Sequence, residues 1–314
     1  FKIVNIENFN INYKNNRNII NKINLKKNNS NFIIEGESFD ASRIINNIMN
    51  SDEESQTIFD NLNSKINIRI DKTYIDETNY INNLYGNINF ENNKLSDLRL
   101  ESEFPNKKRI NLSIKNNNNS ETITKLSTSY PKPLIKRYDF IKGFEEGHLD
   151  YYSSKKGDTS NAVLIIDNFK VKKVPIFAKL LSLASLQGVA DLLTGEGIRF
   201  TNFEMEFSNQ KGLVNIKEMY ATGPAVSIIM HGYIESKRLV SLRGTLVPAT
   251  TINRTIASIP LIGKILVGDK TGEGVFGVSF KIKGEPNNPK TTVNPIKTLT
   301  PRFITRILEK IKKN

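Results

Sequence analysis

Few side chains in this sequence are suited to catalysis. His148 and His231 are its only imidazoles, and it has no cysteine. A zinc site needs three or four ligands, so carboxylates from elsewhere would have to complete any site built on these histidines. The two sit on separate strand-like runs and read as structural. Glu204 and Glu206 stand two apart on another such run, which puts both carboxylates on one side, as a glycosidase pair requires. Met205 between them turns the other way, the pattern of a strand with one wet face. Glu145-Glu146, flanked by Gly143 and Gly147, reads as a surface turn.

No Gly-x-Ser-x-Gly nucleophile elbow occurs. Thr194-Gly195-Glu196-Gly197 and Thr271-Gly272-Glu273-Gly274 look like the start of a phosphate-cradling loop. Such a loop leads from a strand into a helix. Here each motif follows apolar, helix-like sequence and runs into a strand, so both read as helix C-caps. The expectation is a chain that is not an enzyme and uses no cofactor and no metal.

The elements around these residues are mostly strands. Ile66, Ile68 and Ile70 alternate with polar residues, as do Ile88 and Phe90, Leu98 and Leu100, and Ile110, Leu112 and Ile114. Tyr85-Gly86-Asn87, Glu91-Asn92-Asn93 and the Asn run at 116–119 separate them as turn signals. Short helical insertions are predicted near Asp40–Met49 and Leu134–Ile141, and Gly143 and Gly147 then turn the chain into a strand at His148–Ser153. Ala162–Val171 reads as a strand. Ile176–Leu193 reads as a helix apolar over most of its circumference, with Pro175 near its first position. Strands are expected at Ile198–Phe207, Leu213–Tyr220, Ala225–Ile234, Leu239–Val247 and Glu273–Gly284. Helices are expected near 176–193, 249–267 and 296–312, and Pro286, Pro289 and Pro295 break up the stretch before the last of them. That tail is amphipathic through Ile296, Leu299, Phe303, Ile304, Ile307, Leu308 and Ile311.

Hydrophobic residues make up 38% of the 314, a value that suits thin sheets with one wet face better than a thick central core. The formal charge of +13 favours anionic partners. It is dispersed, and its densest cluster is the tail, where Lys297, Arg302, Arg306, Lys310, Lys312 and Lys313 oppose only Glu309. With no Trp and no compact basic array elsewhere, no nucleic-acid partner is expected. No apolar run reaches the length of a membrane-spanning helix; the longest, Ile176–Leu193, is interrupted by Lys179, Gln187, Gly188 and Asp191.

From about Leu134 to Thr305 the order of several motifs resembles one family. They are Ile141-Lys142-Gly143-Phe144, Leu180 to Leu193 followed by Thr194-Gly195-Glu196-Gly197-Ile198-Arg199-Phe200, Gly223-Pro224, Ile259-Pro260-Leu261-Ile262-Gly263, Gly272-Glu273-Gly274-Val275-Phe276 and Val293-Asn294-Pro295. Together they resemble the C-terminal region of the AsmA-like family, the bacterial envelope proteins that include the YhdP and TamB groups. The resemblance implies an elongated, gutter-shaped β structure with an apolar inner wall. It implies a periplasmic body anchored to the inner membrane by a segment upstream of this sequence. It also implies a part in outer-membrane biogenesis and in phospholipid movement between the inner and outer membranes, with envelope proteins as further partners. The chain is much shorter than the large members of that family.

The expected architecture is therefore mainly β with a few helices. An elongated, curved antiparallel sheet forms a gutter-like apolar groove, capped by amphipathic helices, with an Asn-rich meander over 1–130 and a second β domain over 131–314. Phospholipid acyl chains would lie against Ile66, Ile68, Ile70, Ile88, Phe90, Leu112, Ile114, Val226, Ile228, Met230, Val240, Leu242, Phe276, Val278, Phe280 and Ile282. A structural β scaffold, its apolar face sealed by its own helices, is the competing expectation.

Overall fold

The computed structural model describes residues 6–45, 63–117, 121–136, 142–173, 195–236, 238–248, 277–286 and 288–296. The expected helices at 176–193 and 249–267, the tail beyond 296, the strand start at 273–276 with Phe276, and the second Thr-Gly-Glu-Gly motif lie outside these residues.

The described chain is mainly β. Its strands are β1 (Asn8–Lys14), β2 (Ile20–Asn28), β3 (Asn31–Asp40), β4 (Ser64–Tyr74), β5 (Tyr80–Glu91), β6 (Lys94–Glu103), β7 (Arg109–Asn117), β8 (Glu121–Thr128), β9 (Lys142–Lys156), β10 (Thr159–Lys173), β11 (Ile198–Gln210), β12 (Leu213–Thr222), β13 (Val226–Glu235), β14 (Leu239–Pro248), β15 (Gly277–Gly284) and β16 (Lys290–Ile296). They hydrogen-bond in chain order from β1 to β16 in one open sheet. Hairpins with short polar turns produce much of this order, as at β2–β3, β5–β6 and β11–β12. Asn29, Asn92 and Asn93 supply the positive φ values of the tight turns.

Among the pairings whose register is defined, β3 with β4 is parallel and the rest are antiparallel. A parallel pair needs a long connection, and residues 41–63 supply it. A helical turn begins there at residues 42–45, where the Asp40 carboxylate accepts the Ser42 N–H at 3.1 Å, as a cap does. The other described helix, α1 (Lys132–Ile135), is a single turn that starts before the predicted Leu134. No helix among the described residues is long and apolar enough to cross a membrane.

Three expectations are corrected. Tyr85-Gly86-Asn87 marks no turn, because it lies inside the 12-residue β5. Gly143 and Gly147 mark no turn: both lie inside the 15-residue β9, at φ of 72° and 89°. Glu146 also has positive φ, the signature of bulges that bend a strand without ending it. Residues 290–296, read as broken by proline, form β16. Pro295 is tolerated because β16 lies at the sheet edge, where an outward-facing N–H is dispensable.

The chain divides into two compact units. One holds Phe1–Pro133 and Leu149–Ser160; the other holds Leu134–His148 and Asn161–Asn314. The first is closed at one end of its strands. There Ile75, Ile81 and Phe104 are buried, with Ile45, Leu84, Ile110 and Tyr130 packed against them. Tyr130 meets Phe104 edge-on at 5.2 Å between ring centroids. Beside this cluster Arg17 ties three segments together. It pairs with Asp40 and donates to the Ser42 hydroxyl at 2.9 Å and to the Asp76 carbonyl at 3.1 Å. Asn15 adds a 2.6 Å bond to Asp40. Burial pulls the Asp40 carboxyl upward, but hydrogen bonds from Arg17 and Ser42 and the guanidinium charge outweigh it and hold its pKa below the ordinary value.

A lowered folded-state pKa stabilises the fold above the unfolded-state value, and the gain disappears as pH falls through the lowered one. Asp40→Asn is expected to weaken the fold at neutral pH and to flatten the acid limb of its stability profile. Urea midpoints measured across the acid range, wild type against variant, check this.

Candidate functional site

The polar residues singled out by sequence do not converge. His148 lies on β9 and the exposed His231 on β13, four strands apart in the sheet order. The spacing Glu145-x-x-His148, which would gather ligands on a helix, falls on a strand instead. Glu145 pairs with Lys172 at 3.0 Å, and Glu146 takes two hydrogen bonds from Arg199, at 2.8 and 3.3 Å. The Arg199 bonds lower the Glu146 pKa. Sequence reasoning missed both pairs because their partners lie on β10 and β11, far along the chain. Glu206 binds Lys217 at 2.7 Å. Glu204 stands opposite Tyr220 in the β11–β12 register. Burial pushes the Tyr220 phenol up to about 12. Among the described residues no group of three or more His, Asp or Glu side chains is placed to hold a metal ion.

The apolar residues do converge, and register is what aligns them. Directly opposed residues on paired strands point to the same face. In the first unit one row runs Phe9, Leu25, Ile34, Ile68, Gly86, Leu100, Leu112, Leu126, Tyr151. A second row on the same face runs Phe32, Ile66, Ile88, Leu98, Ile114. A third joins Ile11, Ile23, Gly36, Ile70 and Leu84. Phe90 extends the face opposite Ser64. The reverse face carries Asn67, Arg69, Asn87, Arg99, Glu101, Asn111 and Lys125.

Most of these apolar side chains are half-buried; Ile70 and Leu98 are buried, and Phe9 is 52% exposed. Half-burial is what lateral packing within one sheet gives with nothing stacked above. The strand pairs in contact among the described residues are all sheet neighbours. Nine strands at about 4.8 Å spacing make the long row roughly 40 Å, and three rows along strands rising about 3.3 Å per residue make the band roughly 13 Å wide. A band of that area matches the largest apolar patches of ordinary soluble monomers, which are often functional.

Gly86 sits in the middle of the row because a Cβ there would collide with the Arg99 carbonyl; the strands approach too closely for a side chain.

The second unit repeats the pattern with a different outcome. Ala221, Ile228, Leu246 and Val278 form one row, Met219, Met230, Gly244 and Phe280 the next, and Ile216, Gly232, Leu242 and Ile282 a third. Val226 and Val240 share this face. Here Val226, Ile228, Val278, Phe280 and Ile282 are all buried, Ile228 and Val278 at 1% exposure. Phe280 lies over Gly244, where a Cβ would strike its ring. Nearby, Phe144, Phe169 and Phe200 stack at 5.2 and 5.3 Å with planes 15° apart, and Phe203 meets Phe169 edge-on. On the reverse face His231 stands opposite Arg243, and Arg243 opposite Lys281.

Of the wall residues predicted from sequence, those described thus fall on one face within each unit. Phe9, Ile34, Leu126 and Tyr151 were missed. Their runs are short or mixed with Asn, and only pairing register adds them to the row. Comparison with family models, with curated proteins and with solved structures gives no match.

The stacked aromatics should anchor the second unit. Phe169→Ala removes the central ring of the stack and is expected to cost about 3–5 kcal/mol, read as a lowered urea midpoint. An equal change at the exposed Tyr152 should cost well under 1 kcal/mol.

Proposed function

We propose that this chain is a non-enzymatic lipid-binding domain whose sheet carries phospholipid acyl chains along its apolar face. The supporting observation is the row from Phe9 to Tyr151: one side of a single sheet, apolar across nine strands and half-exposed. An acyl chain needs apolar area and no specific polar partner. Each methylene withdrawn from water contributes roughly 0.8 kcal/mol, so a chain lying along the band is held without a deep pocket. A single leaflet's hydrocarbon is about 15 Å thick, half of a roughly 30 Å bilayer core. The row exceeds the length of one chain, and a lipid can slide along it while its headgroup stays in water. The gutter shape and the amphipathic helix caps belong to this reading.

The resemblance of the 134–305 motifs to the AsmA-like family supports a periplasmic location for this reading. The chain would be anchored to the inner membrane through an upstream segment and would serve phospholipid transport between the two membranes and outer-membrane biogenesis. Envelope proteins, and no nucleic acid, would be its further partners.

A second reading has its own support. In the second unit the equivalent face is buried, as a structural scaffold or protein-assembly module without lipid transfer would have it. The two readings divide on the first unit. A photoreactive phenylalanine analogue at Leu112 is expected to cross-link phospholipid when the protein is made in cells, and one at Asn111, on the reverse face, is not. Equal labelling at both positions, or none at either, supports the scaffold.

A further inference from the structure

Among the described residues no strand pairs with the outer side of β1, and the sequence of β1 is self-complementary. β1 pairs with β2 along one side and lies at the end of the strand order. The Glu7 carbonyl accepts the Lys27 N–H at 2.7 Å, and the Asn15 N–H donates to the Ile19 carbonyl at 3.0 Å. Both bonds fall on the β1–β2 register, which has no shift between them. In an antiparallel ladder a residue directs its N–H and C=O to the same side, and the side alternates. Odd-numbered residues of β1 therefore face β2. Asn8, Asn10, Asn12 and Lys14 direct their backbone groups outward.

Natural edges are blunted by proline, bulges or inward charges. β16, at the other end of the order, carries Pro295. β1 has no proline and no bulge, and Lys14 at its end is its only charge. It presents Phe9 and Tyr13 at 52% and 54% exposure.

We infer that β1 pairs with β1 of a second copy of this chain, antiparallel about a two-fold axis through Ile11. The register follows from the sequence Asn8-Phe9-Asn10-Ile11-Asn12-Tyr13-Lys14. With Ile11 opposite its symmetry mate, Phe9 meets Tyr13, Asn10 meets Asn12 and Asn8 meets Lys14. The hydrogen-bonded pairs are then the even-numbered residues, which are the ones whose backbone groups point outward. Every apolar side chain finds an apolar partner, and no like charges meet. A symmetric pairing of this kind is closed and stops at two copies. Because opposed residues share a face, it joins the apolar bands of both copies on the same side. The pairing stands whether or not that face binds lipid.

Two variants test it. Asn12→Pro deletes an outward N–H that β2 does not use. Ile11→Cys introduces the sole thiol of a cysteine-free chain, at a non-hydrogen-bonded pair whose Cα atoms would be about 4.5 Å apart, within disulfide reach. The wild-type chain is expected to sediment as a dimer at micromolar concentration, and Asn12→Pro as a monomer with an unchanged circular dichroism spectrum. Mild oxidation should link Ile11→Cys into a covalent dimer but leave Phe9→Cys without a covalent link. A monomeric wild type, or a dimer in which Phe9→Cys links as readily as Ile11→Cys, overturns the pairing. If Asn12→Pro disturbs the fold, the comparison of the two cysteine variants decides alone.

Discussion

Everything in this molecule depends on the two-residue period of a β-strand. A slip of one residue in any pairing would turn that strand's whole apolar set into water and its Asn and Lys side chains onto the apolar face. Ile66, Ile68 and Ile70 therefore do more than mark a strand. They fix where β4 sits against Ile88 on one side and Phe32 on the other. The same demand recurs at each hairpin, so register is set locally and accumulates into rows that no single strand specifies.

This architecture spends little on a core. Where the apolar side chains of a face are only half-buried, lateral packing, the ladder and the cluster around Phe104 carry a larger share of the stability. The Arg17–Asp40–Ser42 network belongs to that end. It joins the turn between β1 and β2, the end of β3 and the start of the crossover to the parallel β4. These are the segments that hairpin geometry alone does not hold together. In the second unit, burial of Ile228, Val278 and Phe280 and the stack of Phe144, Phe169 and Phe200 give a more conventional interior. Leu112 in the first unit is half-buried, whereas Val278 in the second is fully buried.

Strands with clean alternation could be read from residue types alone, as at 66–70, 110–114 and 278–282. Turn chemistry was equally direct at Asn92-Asn93. What escaped reading had a physical reason. Glycine at positive φ serves both turns and bulges, so Gly143 and Gly147 pointed to a turn where β9 continues. Proline breaks central strands but not edges, so Pro295 hid β16. The crossover before β4 brings the chain back so that β4 runs in the same direction as β3, without any local signature, which concealed the parallel pair. The ion pairs of Glu145 and Glu146 bring together residues far apart in the chain. Val247 is 0% exposed yet points to the face opposite Leu246, so burial on both sides of β14 could not be inferred from a pattern that favours one.

The central claim is that the first unit leaves its apolar face unsealed and available to lipid. Accessibility of a nitroxide at position 112 to a small paramagnetic relaxant tests it directly, with a nitroxide at position 111 as the reverse-face control. The label at 112 should be accessible in lipid-free protein and become shielded when phospholipid is added, with no change at 111. A label at 112 that is shielded before any lipid is present, or one that lipid leaves unchanged, would contradict the account.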